Sequence, residues 1–221
     1  MPMAKMRGDA GIYGSMAKWY DKSYRKSRLA EMLQIADTIT GCAGDGAAIL
    51  EVAPGPGYLS IELARRGYAV TGVELSEDFV DIERRNAAEA GVTVDFRQGN
   101  ASALPVPDEG FDFIVCSAAF KNFKEPVKAL SEMYRVLKPG GTALIIDMNH
   151  DATAADIDAE VIGMKGFDKW FTRLSFKTFL SKSAYTQQEF ENFIAATPFG
   201  TAEIQKSGIG FSIYCRKSIQ K

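Results

Sequence analysis

Short apolar runs alternate with amphipathic patterns through the middle of the chain. Five runs rich in β-branched and aromatic residues predict strands, at residues 47–52, 68–74, 92–98, 111–117 and 142–148. Between them, apolar residues at helical spacing predict three helices, at residues 58–66, 76–90 and 125–137. Ser76 is the expected N-cap of the second helix and Gly91 its end, while Pro139-Gly140-Gly141 is expected to end the third. This alternation predicts parallel βαβ units.

The alternation breaks after the fifth predicted strand. Residues 152–182 have a helical pattern that includes the aromatic residues Phe167, Trp170, Phe171, Phe176 and Phe179. A further helix is predicted at 186–196, where Thr186 and Glu189 have the spacing of a capping box. The runs 202–206 and 210–216 predict an antiparallel hairpin. The segment before the first strand is also predicted to be helical.

These elements predict one α/β domain of the Rossmann-like, doubly wound kind. Its sheet is expected to be seven-stranded and mostly parallel, with a C-terminal antiparallel hairpin and helical lid additions. In chain order we expect an N-terminal helical cap, a ligand-binding core, a helical lid insertion, and a closing helix with a β-hairpin, at residues 1–46, 47–148, 149–185 and 186–221.

The composition is typical of a soluble globular enzyme. The chain has 221 residues, 46% hydrophobic and 24% charged, with a formal net charge of −2 that disfavours a strongly basic polyanion binder. No apolar run approaches the roughly 20 residues that span a bilayer, and the N-terminus lacks the apolar core of a secretory signal. Three widely spaced cysteines and one histidine predict reduced thiols and no metal site. We therefore expect a cytoplasmic protein.

The candidate ligand site is the loop between the first predicted strand and its helix. The loop contains Gly55 and Gly57, and glycines there allow positive φ angles and a close approach of the backbone to a ligand. Glu74 ends the second predicted strand, 17 residues after Gly57, where a carboxylate can accept two hydrogen bonds from a ribose diol. Both groups are expected at the carboxyl edge of the sheet, where ligands bind. Loop and acid together predict a ribose-containing ligand.

Two classes of ligand use this geometry. The dinucleotide fingerprint has a third glycine where this chain has Ser60, which disfavours a nicotinamide-dependent oxidoreductase. Glu51 places a carboxylate beside the loop, where it would repel a pyrophosphate and attract an α-ammonium group. These residues favour a ligand with an ammonium group, a ribose and an adenine, and the oxidoreductase is the alternative.

Five motifs in order resemble those of class I S-adenosylmethionine-dependent methyltransferases. They begin with Ile-Leu-Glu-Val leading into Glu-x-Ala-x-Gly-x-Gly, and they occupy residues 49–57, 70–76, 98–105, 111–115 and 134–141. The resemblance covers roughly residues 47–148. It is closest to the small-molecule branch that includes the quinone-biosynthesis methyltransferases.

The resemblance implies S-adenosyl-L-methionine as the cofactor. Its implied binding residues are Glu51, Ala53, Pro54, Gly55, Gly57, Glu74, Leu75, Asn100, Ala101 and Ser117. Glu51 and the loop backbone would hold the methionine moiety, and Glu74 the ribose. Leu75 would pack on the adenine, Asn100 and its neighbour would meet the adenine edge, and the Ser117 carbonyl would accept from the cofactor amine.

The chain departs from the family pattern at two of these positions. Ala53 stands where the first motif glycine is usual, which narrows the loop slightly. Asn100 stands where an acid is usual, and its side-chain oxygen can still accept a hydrogen bond from an exocyclic amine. Both departures are compatible with cofactor binding.

The same resemblance implies transfer of a methyl group to the oxygen, nitrogen or carbon of a small acceptor, expected to be an aromatic or carboxylate-bearing metabolite. Such a displacement requires reacting atoms aligned about 3–3.5 Å apart, and a general base only where the acceptor must lose a proton. The candidate catalytic residues are His150, after the fifth predicted strand, and Lys121, after the fourth. The candidate residues of the substrate pocket are Tyr13, Tyr20, Phe120 and Trp170.

Basic residues are concentrated outside the motifs. Residues 1–28 contain seven basic and two acidic residues, and residues 164–182 contain five basic and one acidic residue. We expect these regions to form a positively charged lid over the acceptor pocket. A methyltransferase that acts on nucleic acid or protein stays an alternative, although the pI of about 5.6 makes nucleic acid the weaker one. A protein of this fold that has lost transfer activity is a further alternative. Both a monomer and a homodimer are compatible with the sequence.

Overall fold

A seven-stranded sheet forms the centre of the molecule. The computed structural model describes residues 11–160, 162 and 184–219. The strands are β1 (Ala48–Val52), β2 (Ala69–Glu74), β3 (Asp95–Gln98), β4 (Phe111–Ser117), β5 (Leu137–Met148), β6 (Glu203–Ser207) and β7 (Gly210–Arg216). Their order across the sheet is β3-β2-β1-β4-β5-β7-β6. Strands β1 to β5 pair in parallel, and β7 lies antiparallel between β5 and β6.

Helices connect these strands. They are α1 (Ser15–Thr40), α2 (Tyr58–Arg65), α3 (Glu77–Ala90), α4 (Pro126–Val136), α5 (Ala154–Glu160) and α6 (Gln187–Ala195), with a 3₁₀ turn at Phe120–Asn122. The sheet and its closing antiparallel strands confirm the predicted Rossmann-like α/β fold. Within the described part of the chain, no helix is both long enough and apolar enough to cross a membrane.

The strand order reverses beside β1. The chain moves outward from β1 to β2 and β3, and then returns across β1 to start β4 on its other side. At this switch point the loops that follow β1 and β4 turn away from each other and leave a crevice at the carboxyl edge. The topology therefore places the glycine loop and the end of β4 around one opening.

Side chains of the central strands point alternately to the two faces of the sheet, so the hydrophobic core has two layers. Leu50 and Ile114 point to a cluster that contains Phe190 of α6, whereas Ile49 and Phe113 point to the layer that contains α1 and α2. These strand residues are no more than 2% exposed. Because successive side chains of a strand point to opposite faces, a strand covered on both sides is apolar at consecutive positions.

Capping residues determine where helices α3 and α6 begin. Ser76 Oγ accepts a hydrogen bond from the Phe79 N–H at the start of α3, and Gly91 ends that helix in the left-handed conformation. At α6, the Thr186 and Glu189 side chains accept from each other's backbone N–H groups, which confirms the predicted capping box. These bonds satisfy N–H groups that the first helical turn leaves unpaired.

Two predicted boundaries are wrong. Helix α4 ends at Val136, and Pro139-Gly140-Gly141 lies within β5, because strand pairing resumes at once with an irregular register opposite Phe111 and Phe113. Gly140 has a φ of 84°, and its N–H donates to the Lys217 carbonyl. Strand β3 starts at Asp95, three residues later than predicted, because the pairing with β2 begins there. The rest of the helical segment predicted after α5 lies outside the described residues.

Candidate functional site

A cavity opens at the carboxyl edge of the sheet, above the ends of β1, β2 and β4. Most of the predicted site residues line it, namely Glu51, Ala53, Pro54, Gly55, Glu74, Leu75, Asn100, Ala101, Ser117 and Tyr20. The structure therefore brings together residues that lie up to 97 positions apart in the chain, from Tyr20 to Ser117. Gly57, the last residue of the loop, is outside the lining and packs against Glu83 of α3.

The glycine loop has three residues in the left-handed region. The φ angles are 58° at Ala53, 62° at Gly55 and 81° at Gly57. A Cβ on Gly55 would meet no atom within 4 Å, whereas a Cβ on Gly57 would lie 3.1 Å from the Phe96 ring. Gly55 thus leaves space on the cavity side, and Gly57 permits close packing of the loop against α3 and β3. Ala53 holds the same backbone shape at a cost of about 1–2 kcal/mol that glycine would avoid.

Glu74 ties the second strand to the glycine loop. Its carboxyl is 5% exposed; Oε1 accepts from the Ser76 N–H at 2.9 Å, and Oε2 accepts from the Gly55 N–H at 3.2 Å. Burial raises the pKa of Glu74 above its ordinary value, although the backbone hydrogen bonds act in the opposite direction. The Leu75 N–H is a third backbone donor to this carboxyl. A carboxylate has about four acceptor positions, so capacity for a hydrogen bond from a ligand remains.

Glu51 is held by the first turn of α2. The carboxyl is 3% exposed, and its Oε2 accepts from the Ser60 hydroxyl at 2.5 Å. Ser60 is the residue that departs from the dinucleotide fingerprint, so the departure has a structural role: it orients the acid beside the loop. Ser117, which also lines the cavity, adds a second polar residue, and its buried hydroxyl has no hydrogen-bond partner among the described residues.

The segment before α1 closes one side of the cavity. The Ile12 carbonyl accepts from the Ser76 hydroxyl at 2.7 Å, and the Gly14 N–H donates to the Asp78 carboxylate at 2.8 Å. Ile12 and Tyr20 line the cavity, and the Tyr20 ring packs edge-on against Phe79 with centroids 5.9 Å apart. The N-terminal segment is therefore fastened to the start of α3, next to Glu74.

Asp21 makes a second attachment that the sequence analysis missed. It is 7% exposed and accepts hydrogen bonds from Tyr58 Oη at 2.6 Å, Asn86 Nδ2 at 3.1 Å and an Arg85 guanidinium N–H at 2.8 Å. Asn86 also donates to the carbonyl of Pro56 in the glycine loop at 3.0 Å. One carboxylate therefore links α1 to α2, α3 and the loop. The sequence holds only a weak signal for it, an acid within a helix that carries many basic residues.

Glu83 is a second acid that the sequence analysis missed. It is fully buried on the inner face of α3, and its Cγ lies 3.2 Å from the position of a Cβ on Gly57. Burial, followed by the charges of Glu74 and Glu51, raises its pKa to about 10. The signal was available, because position 83 falls on the stripe of α3 that also buries Phe79 and Ala87.

Two of the predicted pocket residues lie away from the cavity lining. Tyr13 is 53% exposed and is not among the lining residues, although its ring lies beside Gly11, which is. Phe120 is fully buried against the rings of Phe123 and Phe190, so it packs in the core below the cavity. Trp170 lies outside the described residues.

The two candidate catalytic side chains also lie apart from the lining. Lys121 Nζ donates to the Ala118 carbonyl at 2.6 Å and lies 3.1 Å from the buried carboxylate of Asp147, so its charge holds the loop after β4. His150 has a side chain that is 43% exposed, and its Nδ1 lies 3.1 Å from Asp151 Oδ1. Within the described residues, neither side chain reaches the cavity.

These features define a class of protein: an α/β domain with a cavity at its topological switch point, lined by an acid and a glycine loop that can hold a ribose-containing ligand. Residues 50–145 match the family model described as a methyltransferase domain. This match covers 96 of the 221 residues, and over that range the chain is similar to a methyltransferase domain.

Bacterial methyltransferases are similar to part of the chain. The chain is 32% identical over 129 residues to a demethylmenaquinone methyltransferase of Deinococcus radiodurans, covering 58% of this chain and 50% of that protein. A demethylmenaquinone methyltransferase of Thermus thermophilus is 40% identical over 101 residues, 45% of this chain and 46% of that protein. The chain thus spans about half the length of these relatives.

Solved structures extend the likeness to the whole fold. An S-adenosyl-L-methionine-dependent methyltransferase structure from Methanococcus maripaludis superposes with a TM-score of 0.78, covering 99% of both chains at 24% identity. A SAM-dependent methyltransferase from Aquifex aeolicus gives a TM-score of 0.66 at 20% identity, covering 91% of this chain and 97% of that chain. At these identities the likeness concerns the fold alone.

Proposed function

We propose that this protein transfers a methyl group from S-adenosyl-L-methionine to a small-molecule acceptor. The observation that carries the proposal is the meeting of Glu74, the glycine loop and Glu51 in one cavity at the switch point. This combination offers a ribose acceptor, a backbone shaped for close approach and a carboxylate for an ammonium group, and it lacks the features that favour a pyrophosphate.

The residues present fit this cofactor. Glu74 retains acceptor capacity beyond its backbone hydrogen bonds, and the ribose hydroxyls would use it. Glu51 is oriented by Ser60 toward the methionine end, and the adenine would lie between Leu75 and the Asn100 loop. When bound, S-adenosyl-L-methionine supplies an activated methyl group on a sulfonium sulfur.

The role left to the protein is to align the acceptor and exclude water. The 3₁₀ turn after β4 forms the cavity wall next to Ser117, and Lys121 with Asp147 holds that turn in place. We therefore assign Lys121 a positioning role and keep His150 as a candidate base only for an acceptor that reaches the outer edge.

We propose that the methyl acceptor is aromatic and that the part of it in contact with the described residues of the cavity carries no charge. Phe123 and Tyr20 contribute rings, Asn122 contributes an amide, and the charged residues among the described lining are the two acids Glu51 and Glu74. The names of the relatives, demethylmenaquinone methyltransferases, support an aromatic ring of the quinone type. A carboxylate-bearing acceptor would require the predicted basic lid. That lid, a cytoplasmic location, and a monomeric or homodimeric state stay predictions.

Binding of the cofactor is tested first. S-adenosylhomocysteine should raise the melting temperature of the protein, and NADH should leave it unchanged, because a ligand stabilises only the state that binds it. Glu74→Ala should weaken S-adenosylmethionine binding about 10- to 100-fold, as removal of hydrogen bonds to a charged acceptor predicts. Glu77→Ala, an exposed acid in the first turn of α3, is the matched control.

A pair of glycine variants tests the loop. Gly55→Val should abolish cofactor binding because its side chain would enter the cavity. Gly46→Val is the control, because Gly46 has a similar φ of 67°, no neighbour within 4 Å of its Cβ position, and lies outside the cavity lining. Normal binding by Gly55→Val would place the cofactor elsewhere.

Transfer itself is tested with methyl-labelled cofactor and demethylmenaquinone in its reduced form. Label should enter the quinone-type acceptor and not nucleic acid or protein added in its place. Binding of the cofactor without transfer to any of the three would favour a protein that has lost transfer activity.

A further inference from the structure

Glu83 lies on the buried face of helix α3, where an apolar residue is expected. Helix α3 buries one stripe against the sheet, and Glu83 lies in this stripe between Val80 and Ala87. Other acids of the same helix, such as Asp81 and Glu89, point to solvent. The Glu83 side chain instead packs beneath the glycine loop, against the backbone of Gly57.

The surroundings of Glu83 disfavour its ionised form. Its side chain is fully buried, and neither carboxyl oxygen has a hydrogen-bond partner among the described residues. Glu51 from β1 and Glu74 from β2 add negative charge close enough to raise its pKa, and Arg84 opposes them only in part. A buried carboxyl that lacks a partner cation keeps its proton.

The other elements around Glu83 add little compensating charge. Strand β3 contributes the Phe96 ring, which also meets the Gly57 position, and the residue just before α2 is Gly57 itself. Among the described side chains of α1, Asp21 reaches α3, where it is paired with Arg85 at 2.8 Å. Three acids therefore surround the glycine loop, with Glu51 and Glu74 on the cavity side and Glu83 beneath the loop, and their full ionisation requires a cation from outside.

We propose that Glu83 makes this site sensitive to the charge of the cofactor: its carboxyl holds a proton in the free protein and releases it to solvent when the sulfonium cofactor binds. The inference rests on the proposed placement of the cofactor at this loop. S-adenosylmethionine carries one more positive charge than S-adenosylhomocysteine, and a nearby positive charge favours an ionised carboxyl. The O–H bond of Glu83 breaks heterolytically, and the buffer takes up the proton.

The change in protonation of Glu83 distinguishes S-adenosylmethionine from its demethylated product. Ionised Glu83 attracts the sulfonium form, and that attraction ends when the methyl group leaves and the sulfur becomes neutral. The carboxyl then takes up a proton again. Glu83 is thus a specificity-determining residue that favours the charged cofactor over its demethylated product.

Isothermal titration calorimetry at pH 8, in buffers of different ionisation enthalpy, measures the protons released on binding. We expect the wild-type protein to release up to one more proton per site with S-adenosylmethionine than Glu83→Gln does. With S-adenosylhomocysteine the difference between the two proteins should be much smaller. Between pH 7 and pH 9 the wild-type affinity for S-adenosylmethionine should rise relative to that of the variant, by up to tenfold per pH unit. Asp81→Asn, an exposed change on the same helix, should behave as wild type.

The outcomes separate the two proposals. Equal proton release by wild type and Glu83→Gln, with tight binding in both, would overturn the role of Glu83 and leave the cofactor site intact. Normal binding by Gly55→Val would instead overturn the placement of the cofactor. If the Gln variant fails to fold, wild-type protein with ¹³C-labelled glutamate decides the question by NMR. One buried carboxyl should titrate as protonated at pH 8 in the free protein and as ionised with S-adenosylmethionine, and an unchanged carboxyl signal would contradict the proposal.

Discussion

Glu83 also makes the stability of the free protein depend on pH in a way that one substitution should remove. The pKa of this carboxyl is raised from 4.5 to about 10 in the folded protein, mainly by burial. Between these values the folded state holds one proton that the unfolded state has lost. The free energy of unfolding should therefore decrease as the pH rises, by about 1.4 kcal/mol per pH unit for this one group.

Glu83→Gln retains the shape of the side chain but cannot ionise. Relative to wild type, the variant should gain about 3 kcal/mol in free energy of unfolding between pH 6.5 and pH 8.5, because only the wild-type protein must lose a proton on unfolding. Urea unfolding at three pH values across this window, at constant ionic strength, measures the difference. Contributions from other groups cancel in it, and Asp81→Asn serves as the control. Parallel pH dependences for wild type and Glu83→Gln would refute a protonated, buried Glu83.

Three further changes test the framework around the site. Asp21→Asn should weaken S-adenosylmethionine binding in calorimetry and lower the free energy of unfolding by about 1–3 kcal/mol, because Asp21 accepts three side-chain hydrogen bonds. The control Asp37→Asn, an exposed change on the same helix, should have little effect on either quantity. Gly57→Ala should lower the melting temperature, since its Cβ would lie 3.1 Å from the Phe96 ring at a positive φ, and a melting temperature equal to wild type would contradict the packing. Phe120→Ala should lower the free energy of unfolding in urea by about 3–5 kcal/mol, as expected for a buried core ring. If the substitution changed only the affinity for the acceptor, Phe120 would be a residue of the substrate pocket.

The sequence predicted those parts of the fold and site that depend on local patterns. The apolar periodicity and the caps of α3 predict the βαβ order, and the glycine spacing with Glu74 predicts a loop and an acid that the structure brings together. The continuation of β5 through Pro139-Gly140-Gly141 was not predicted, because pairing with β4 and β7 overrides the turn signal of those residues.

The acids that hold or surround the loop from behind depend on long-range packing. Asp21 meets Arg85 and Asn86, which are 64 and 65 positions away, and no local pattern brings them together. Glu83 is revealed by the helical period as a buried position, but its neighbours Glu51 and Glu74 come from two separate strands. Residues of this kind become visible only when the strand order is known.

A crystal structure of the complex with S-adenosylhomocysteine is the most direct measurement of the proposed cofactor site. We expect both ribose hydroxyls within about 2.6–3.2 Å of the Glu74 carboxylate oxygens, the amino-acid end beside the glycine loop and Glu51, and the adenine against Leu75. A ligand bound away from Glu74, or one whose ribose makes no hydrogen bond to it, would contradict the proposal.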